Sequence, residues 1–192
     1  MEENKKKSLS SPRKSLRFKI EKQIDGGDFY WYRELPFIGN MNMLGNRYLG
    51  LTPAEILEML RKNKFFKSGR LLLGICLCGC EGCDDFFVDI SVNNDTVTWK
   101  GWYEFDKAEY ISALQEMKKT ATECLAKHKK DFKEYKKAVY ECLTQNMGIP
   151  ATVAKNKMKF YEKYDFLEQY FMKNRSVQSV ATKIATSTED EL

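Results

Sequence analysis

From Leu114 to Leu143 the side chains Leu114, Met117, Ala121, Cys124 or Leu125, His128, Phe132, Tyr135, Val139 and Cys142 or Leu143 recur at spacings of three and four. That period places them on one face of an α-helix. Asp106 stands where a capping residue would open this helix, with Glu109 at the third helical position, and Gly148 and Pro150 stop it. A helix of roughly forty residues would extend about 60 Å, so the lysine-rich stretch Lys127–Lys130 is where a break would fall. A second amphipathic segment follows, with Val153, Phe160, Tyr164, Leu167 and Phe171 on one face. A long helix turning into a shorter one predicts an antiparallel helical hairpin.

The pattern upstream has a different period. Leu16, Phe18 and Ile20 alternate with Arg17, Lys19 and Glu21, which predicts a half-buried strand. Asp25-Gly26-Gly27-Asp28 reads as a turn, and Phe29 to Leu35 as the second strand of a hairpin, ended by Pro36. Residues 37–50, rich in Gly and Asn, read as an irregular loop. Thr52, Pro53 and Glu55 form a helix start with a capping box; the helix turns Ile56, Leu57 and Leu60 inward and ends near Asn63. A strand from Arg70 to Cys78 comes next. Phe86 to Val92 and Thr96 to Trp99, joined by Asn93-Asn94-Asp95, form a hairpin. The expected class is α+β: a small antiparallel sheet of four or five strands with a packed helix, followed by the C-terminal helical hairpin. The segments are a flexible basic arm at 1–15, an α+β domain at 16–118, a helical extension at 119–175 and a frayed tail at 176–192.

A hydrophobic share of 43% excludes a disordered chain. No run approaches the roughly 20 apolar residues of a membrane span; the longest, Leu71 to Cys78, is interrupted by Gly74. The lysines near the N-terminus are not followed by the apolar core of a secretory signal, so a cytoplasmic location and unbridged cysteines are expected. The net charge of +5 is uneven, concentrated in the N-terminal arm and the long helix, with a mildly acidic body between. No helix-turn-helix, RRM or zinc-finger spacing is present, which disfavours nucleic acid; a binder would also need aromatic rings interleaved with its cations. The aromatic share of 13% suits a well-filled core or a protein partner. The helical stripe suits dimerisation as well as internal packing. His128 is the only histidine, so no histidine-based nucleophilic pair forms without it. On an apolar stripe it reads as a packed, hydrogen-bonded residue.

Chemistry is concentrated in Cys76-Leu77-Cys78-Gly79-Cys80-Glu81-Gly82-Cys83. On a strand Cys76, Cys78 and Cys80 share a face, and Gly79 and Gly82 let the backbone turn so that Cys83 folds back. C-x-C followed by C-x2-C brings soft thiolates together, as zinc requires. Two other readings stand beside the metal: buried small apolar thiols, and a redox dithiol at Cys80 and Cys83. Cys124, Cys142 or His128 could add a ligand from a distance.

This stretch resembles a family of uncharacterised bacterial proteins with the pattern L-G-x-C-x-C-G-x-x-G-C, then V-x-W, then F-[DE]-x-x-x-Y-x-x-A-L. Here it falls on Leu73, Gly74, Cys76, Cys78, Gly79, Gly82 and Cys83, then Val97 and Trp99, then Phe105, Asp106, Tyr110, Ala113 and Leu114. The resemblance implies that Cys76, Cys78 and Cys83 are the pattern cysteines and Cys80 an addition; it implies no activity. The expected function is a non-enzymatic interaction protein with a protein partner, of the immunity or antitoxin-like kind. The alternative is a metal-binding or redox protein using the Cys76–Cys83 cluster, with zinc as its cofactor.

Overall fold

The computed structural model describes residues 15–24, 30–78 and 82–187. The N-terminal arm, the Asp25–Asp28 turn, Cys80 and the last five residues lie outside them. The class is α+β, with two antiparallel sheets followed by helices.

The first sheet joins β1 (Leu16–Ile24), β2 (Tyr30–Ile38) and β3 (Met41–Asn42) in that order. β2 runs through Pro36 instead of ending there. Pro36 pairs with Phe18, and its carbonyl accepts from Met43 N at 2.9 Å. A strand residue's N and O point to the same side, so the missing N–H faces the short β3 and the β1 ladder loses nothing.

The second sheet has the order β4 (Tyr48–Gly50), β5 (Gly69–Cys76), β6 (Phe86–Val92), β7 (Thr96–Trp99) and β8 (Tyr103–Asp106). The expected loop at 37–50 therefore contains β3 and β4. Gly50 and Gly74 pair across β4 and β5. A Cβ on Gly50 would lie 2.2 Å from the Glu34 carbonyl oxygen, and one on Gly74 2.8 Å from Leu44. Gly50 thus permits close approach of the two sheets instead of marking a loop, and Gly74 makes room for Leu44 and the Leu49 carbonyl of β4. Glu34 N donates to Leu51 O at 2.8 Å, tying β2 to the end of β4.

Between β4 and β5 lies α1 (Pro53–Arg61), with the expected capping box: Thr52 Oγ1 accepts from Glu55 N at 3.3 Å, and Thr52 N donates to Glu55 Oε2 at 2.6 Å. Asp106 caps α2 (Lys107–Glu141), accepting from Ala108 N and Glu109 N. α2 continues unbroken through Lys127–Lys130 for 35 residues. Both of its ends are held. Its first half packs Tyr110, Leu114, Met117 and Ala121 into a core with Phe65 and Trp99, and Val139 belongs to a second core. A π-type turn, Cys142–Asn146, ends it.

The second amphipathic segment divides into α3 (Ala151–Lys163) and α4 (Phe166–Met172) at Asp165, whose φ of +58° is left-handed. The chain beyond Ser176, expected to fray, forms α5 (Val177–Thr186). Ser176 caps it, Val180, Ala181 and Ile184 are buried, and Lys157 Nζ donates to the carbonyls of Ile184, Ala185 and Ser187. The Ser/Thr content suggested fraying, but the apolar three-and-four spacing and the capped ends outweigh it. No described helix is long and apolar enough to cross a membrane.

Candidate metal centre

β5 delivers Cys76 at its last residue, and β6 runs back antiparallel from Phe86. The intervening chain must reverse within a few residues. Gly82, at φ +84°, adopts the left-handed backbone that this demands, and its N–H donates to Asp85 Oδ2 at 2.9 Å. The reversal carries Cys83 back over the strand end. As a result the Sγ atoms of Cys76, Cys78 and Cys83 all lie within 4.8 Å of one another. Cys76 is half-buried, and Cys78 and Cys83 are exposed.

A tetrahedral Zn–S site with bonds of about 2.3 Å sets its sulfurs roughly 3.8 Å apart. The three thiols are thus near metal-binding spacing, and they fit zinc or another soft cation. They also perturb one another. Hydrogen bonds in which the Cys83 S–H donates to Cys76 and Cys78, joined by the charge of those thiols when ionised, push the Cys83 thiol up to about 11. With no cation beside it, Cys83 therefore keeps its proton at neutral pH.

Cys80, the fourth cysteine of the sequence cluster, lies outside the described residues. Cys124 and Cys142 are on or just beyond α2 and do not join the thiol group. Cys142 is buried and its Sγ donates to Gln178 Oε1 at 3.2 Å, while burial chiefly raises the Cys124 thiol. His128 packs against the rings of Phe132 and Phe171, with Nε2 2.9 Å from Glu168 Oε1. None of the described cysteines is disulfide-bonded.

An aromatic row borders the thiols. Tyr48 pairs with Cys76 across β4 and β5; its ring lies 5.4 Å from Phe86, which in turn lies 6.0 Å from Trp102. Trp102 and Leu77 are both more than two-fifths exposed.

Glu34 was not visible to sequence reasoning. It is only 1% exposed, and burial pushes its carboxyl up to about 8 against the opposing hydrogen bond from Thr120 Oγ1 at 3.5 Å. Its Oε2 has no partner among the described residues. In the sequence it is one acid in an alternating strand; only the approach of α2 on one side and β4 on the other buries it.

No family model matches the chain, and no curated protein or solved structure matches it either.

Proposed function

We propose that the Cys76–Cys83 loop binds zinc through Cys76, Cys78 and Cys83, and that the metal holds a surface for a protein partner in a non-enzymatic protein. The convergence of the three sulfurs within 4.8 Å carries this reading. Cys80 is the sequence's candidate for the fourth position, which would close the site as in structural zinc centres. The bound metal would supply the cross-link that a short exposed loop lacks in side-chain packing. Because Cys83 holds its proton up to about 11, zinc must displace protons, so apparent affinity rises with pH. The partner-binding part of the reading is supported by the exposed Leu77 between Cys76 and Cys78, and by the exposed Trp102 at the far end of the ring row that starts at Tyr48. The bacterial-family resemblance is consistent with a shared cysteine loop.

The test is metal content by plasma mass spectrometry on protein purified without a chelating tag, with thiols titrated in parallel. About one zinc per chain is expected, with thiols shielded until a chelator is added. Cobalt substitution should give tetrahedral thiolate spectra that weaken in Cys83→Ser. A metal-free protein whose thiols react alike with and without added zinc overturns the proposal.

A further inference from the structure

The C-terminal helices carry a row of rings at the edge of the second core: Tyr161 is buried in it, Phe160 and Tyr170 pack against it, and Tyr164 and Phe166 stand exposed beyond it. Phe160 and Tyr164 meet tilted by 53° with centroids 4.8 Å apart, Tyr164 meets Phe166 at 6.1 Å, and Tyr161 meets Phe166 at 5.8 Å and Tyr170 at 6.4 Å. Tyr164 is 47% exposed and Phe166 38%. The left-handed Asp165 between them turns the chain, so a ring from the end of α3 and a ring from the start of α4 stand side by side. Phe160, Tyr161, Phe166 and Tyr170 line an open cavity of about 440 Å³, closed on its other side by Lys183, Thr186 and Ser187 at the end of α5.

Cations are interleaved with these rings. Lys163 Nζ sits 5.2 Å from the Tyr164 centroid, and Lys183 Nζ 5.2 Å from that of Tyr170. α3 carries Lys155, Lys157, Lys159 and Lys163 against Glu162. Glu162 is turned to Lys136 at 3.2 Å and Glu168 to His128 at 2.9 Å, so Asp165 is the carboxylate left beside the rings. A groove combining exposed aromatic faces with lysine ammonium groups complements a flexible polyanion with flat bases better than it complements an apolar protein face.

We propose that this groove and the exposed Tyr164 ring at its rim bind single-stranded nucleic acid, with bases stacked on Tyr164, Phe166 and Phe160 and phosphates held by Lys163 at the rim and Lys183 in the groove. The proposal is independent of the thiol site. Duplex recognition modules are absent from the sequence, and none is needed: stacking is tolerant of sequence and requires only accessible π-faces.

The test is fluorescence anisotropy of the full chain with fluorescein-labelled oligo-dT and oligo-U of about a dozen nucleotides, from low to moderate salt. Saturable binding that weakens with salt is expected. Tyr164→Ala should weaken it about tenfold while Tyr164→Phe preserves it, since the ring face and not the hydroxyl is used. The double variant Lys163→Gln/Lys183→Gln should reduce the salt slope by about one unit. The control pair Lys133→Gln/Lys137→Gln, on the exposed side of α2, should leave affinity and slope nearly unchanged. Circular dichroism verifies that each variant is folded; Tyr164, half in solvent, is not a core residue. Absence of saturable binding at low salt overturns the proposal. So does an equal loss in the control pair, which would mean general attraction to a basic protein. Sedimentation showing a dimer that Tyr164→Ala dissolves would also overturn it, assigning the rings to a second copy of the chain.

Discussion

Between Leu16 and Ala121 the buried residues come from strands and helices far apart in the chain, and they enclose charged groups such as Arg33 and Glu34. Between Val139 and Ile184 they come from neighbouring helices, and small residues, Ala154 and Ala181, are fully buried where the helices meet. The first core relies on large interlocking rings: Trp99 packs edge-on to Phe105 and Tyr110, and Tyr110 Oη donates to the Phe65 carbonyl at 3.2 Å. The second relies on close helix approach, with Tyr161 buried in it and Phe132, Tyr135, Phe160 and Tyr170 packed only partly buried around it. One helix serves both. No side chain of α2 from Thr122 to Ala138 is fully buried, so this span is a strut between two cores, with Phe132 and Tyr135 packed against the edge of the second. The difference teaches that the long sequence stripe is two stripes on one helix, each with its own partner. His128 lies between them, where a cavity of about 240 Å³ is lined by Tyr32, Cys124, His128, Glu168 and Met172.

The sharpest way to separate the two regions is to damage one. Trp99→Ala should cost about 3–5 kcal/mol in the first core through lost burial and a cavity. In urea unfolding, tertiary fluorescence should then be lost before the helical circular dichroism of the second core. Coincident transitions would show instead that α2 couples both cores into one cooperative unit.

The next effect is confined to the first core and depends on pH. The folded Glu34 carboxyl titrates at about 8, the unfolded one near 4.5. Between those values the folded state holds the proton that the unfolded chain has released. Stability from this group is therefore full below pH 4.5 and declines as pH rises to 8. The decline should be roughly 2–3 kcal/mol, less than the full shift would give at 1.36 kcal/mol per unit. Glu34→Gln should flatten it and raise the melting temperature at pH 8. An unchanged pH profile would mean that the carboxyl is better solvated than its burial implies.

The smallest effect falls on the strut. His128→Gln removes the contact to Glu168 and the ring packing on Phe171, at a cost of about 1 kcal/mol. If the cores are independent, hydrogen exchange should increase in α4 and the middle of α2 while amides of β5–β7 are unaffected. Faster exchange in those strands would make His128 a coupling element.

Much of the fold was legible because it rests on local rules. The capping box at Thr52, the Asp106 cap and the Phe86–Trp99 hairpin need only a few consecutive residues, and they stand in the structure as read. The thiol site was partly legible: alternation set Cys76, Cys78 and Cys80 on one face, and Gly79 and Gly82 let Cys83 fold back; the structure brings the sulfurs of Cys76, Cys78 and Cys83 within 4.8 Å of one another, and Cys80 lies outside the described residues. The misses share a cause. Pro36 inside β2, the strands within residues 37–50 and the ordered α5 each depend on what packs against them, and none of those contacts is written in local spacing.

The chain by itself thus determined periods, caps and turns, because backbone geometry and hydrogen-bond satisfaction act over three or four residues. Only the tertiary structure decided that Gly50 lets one sheet close on the other, that Glu34 lost its water, and that Tyr164 and Phe166 beside Asp165 stayed exposed. Each of these depends on the distance between segments remote in sequence, and burial is set by those distances.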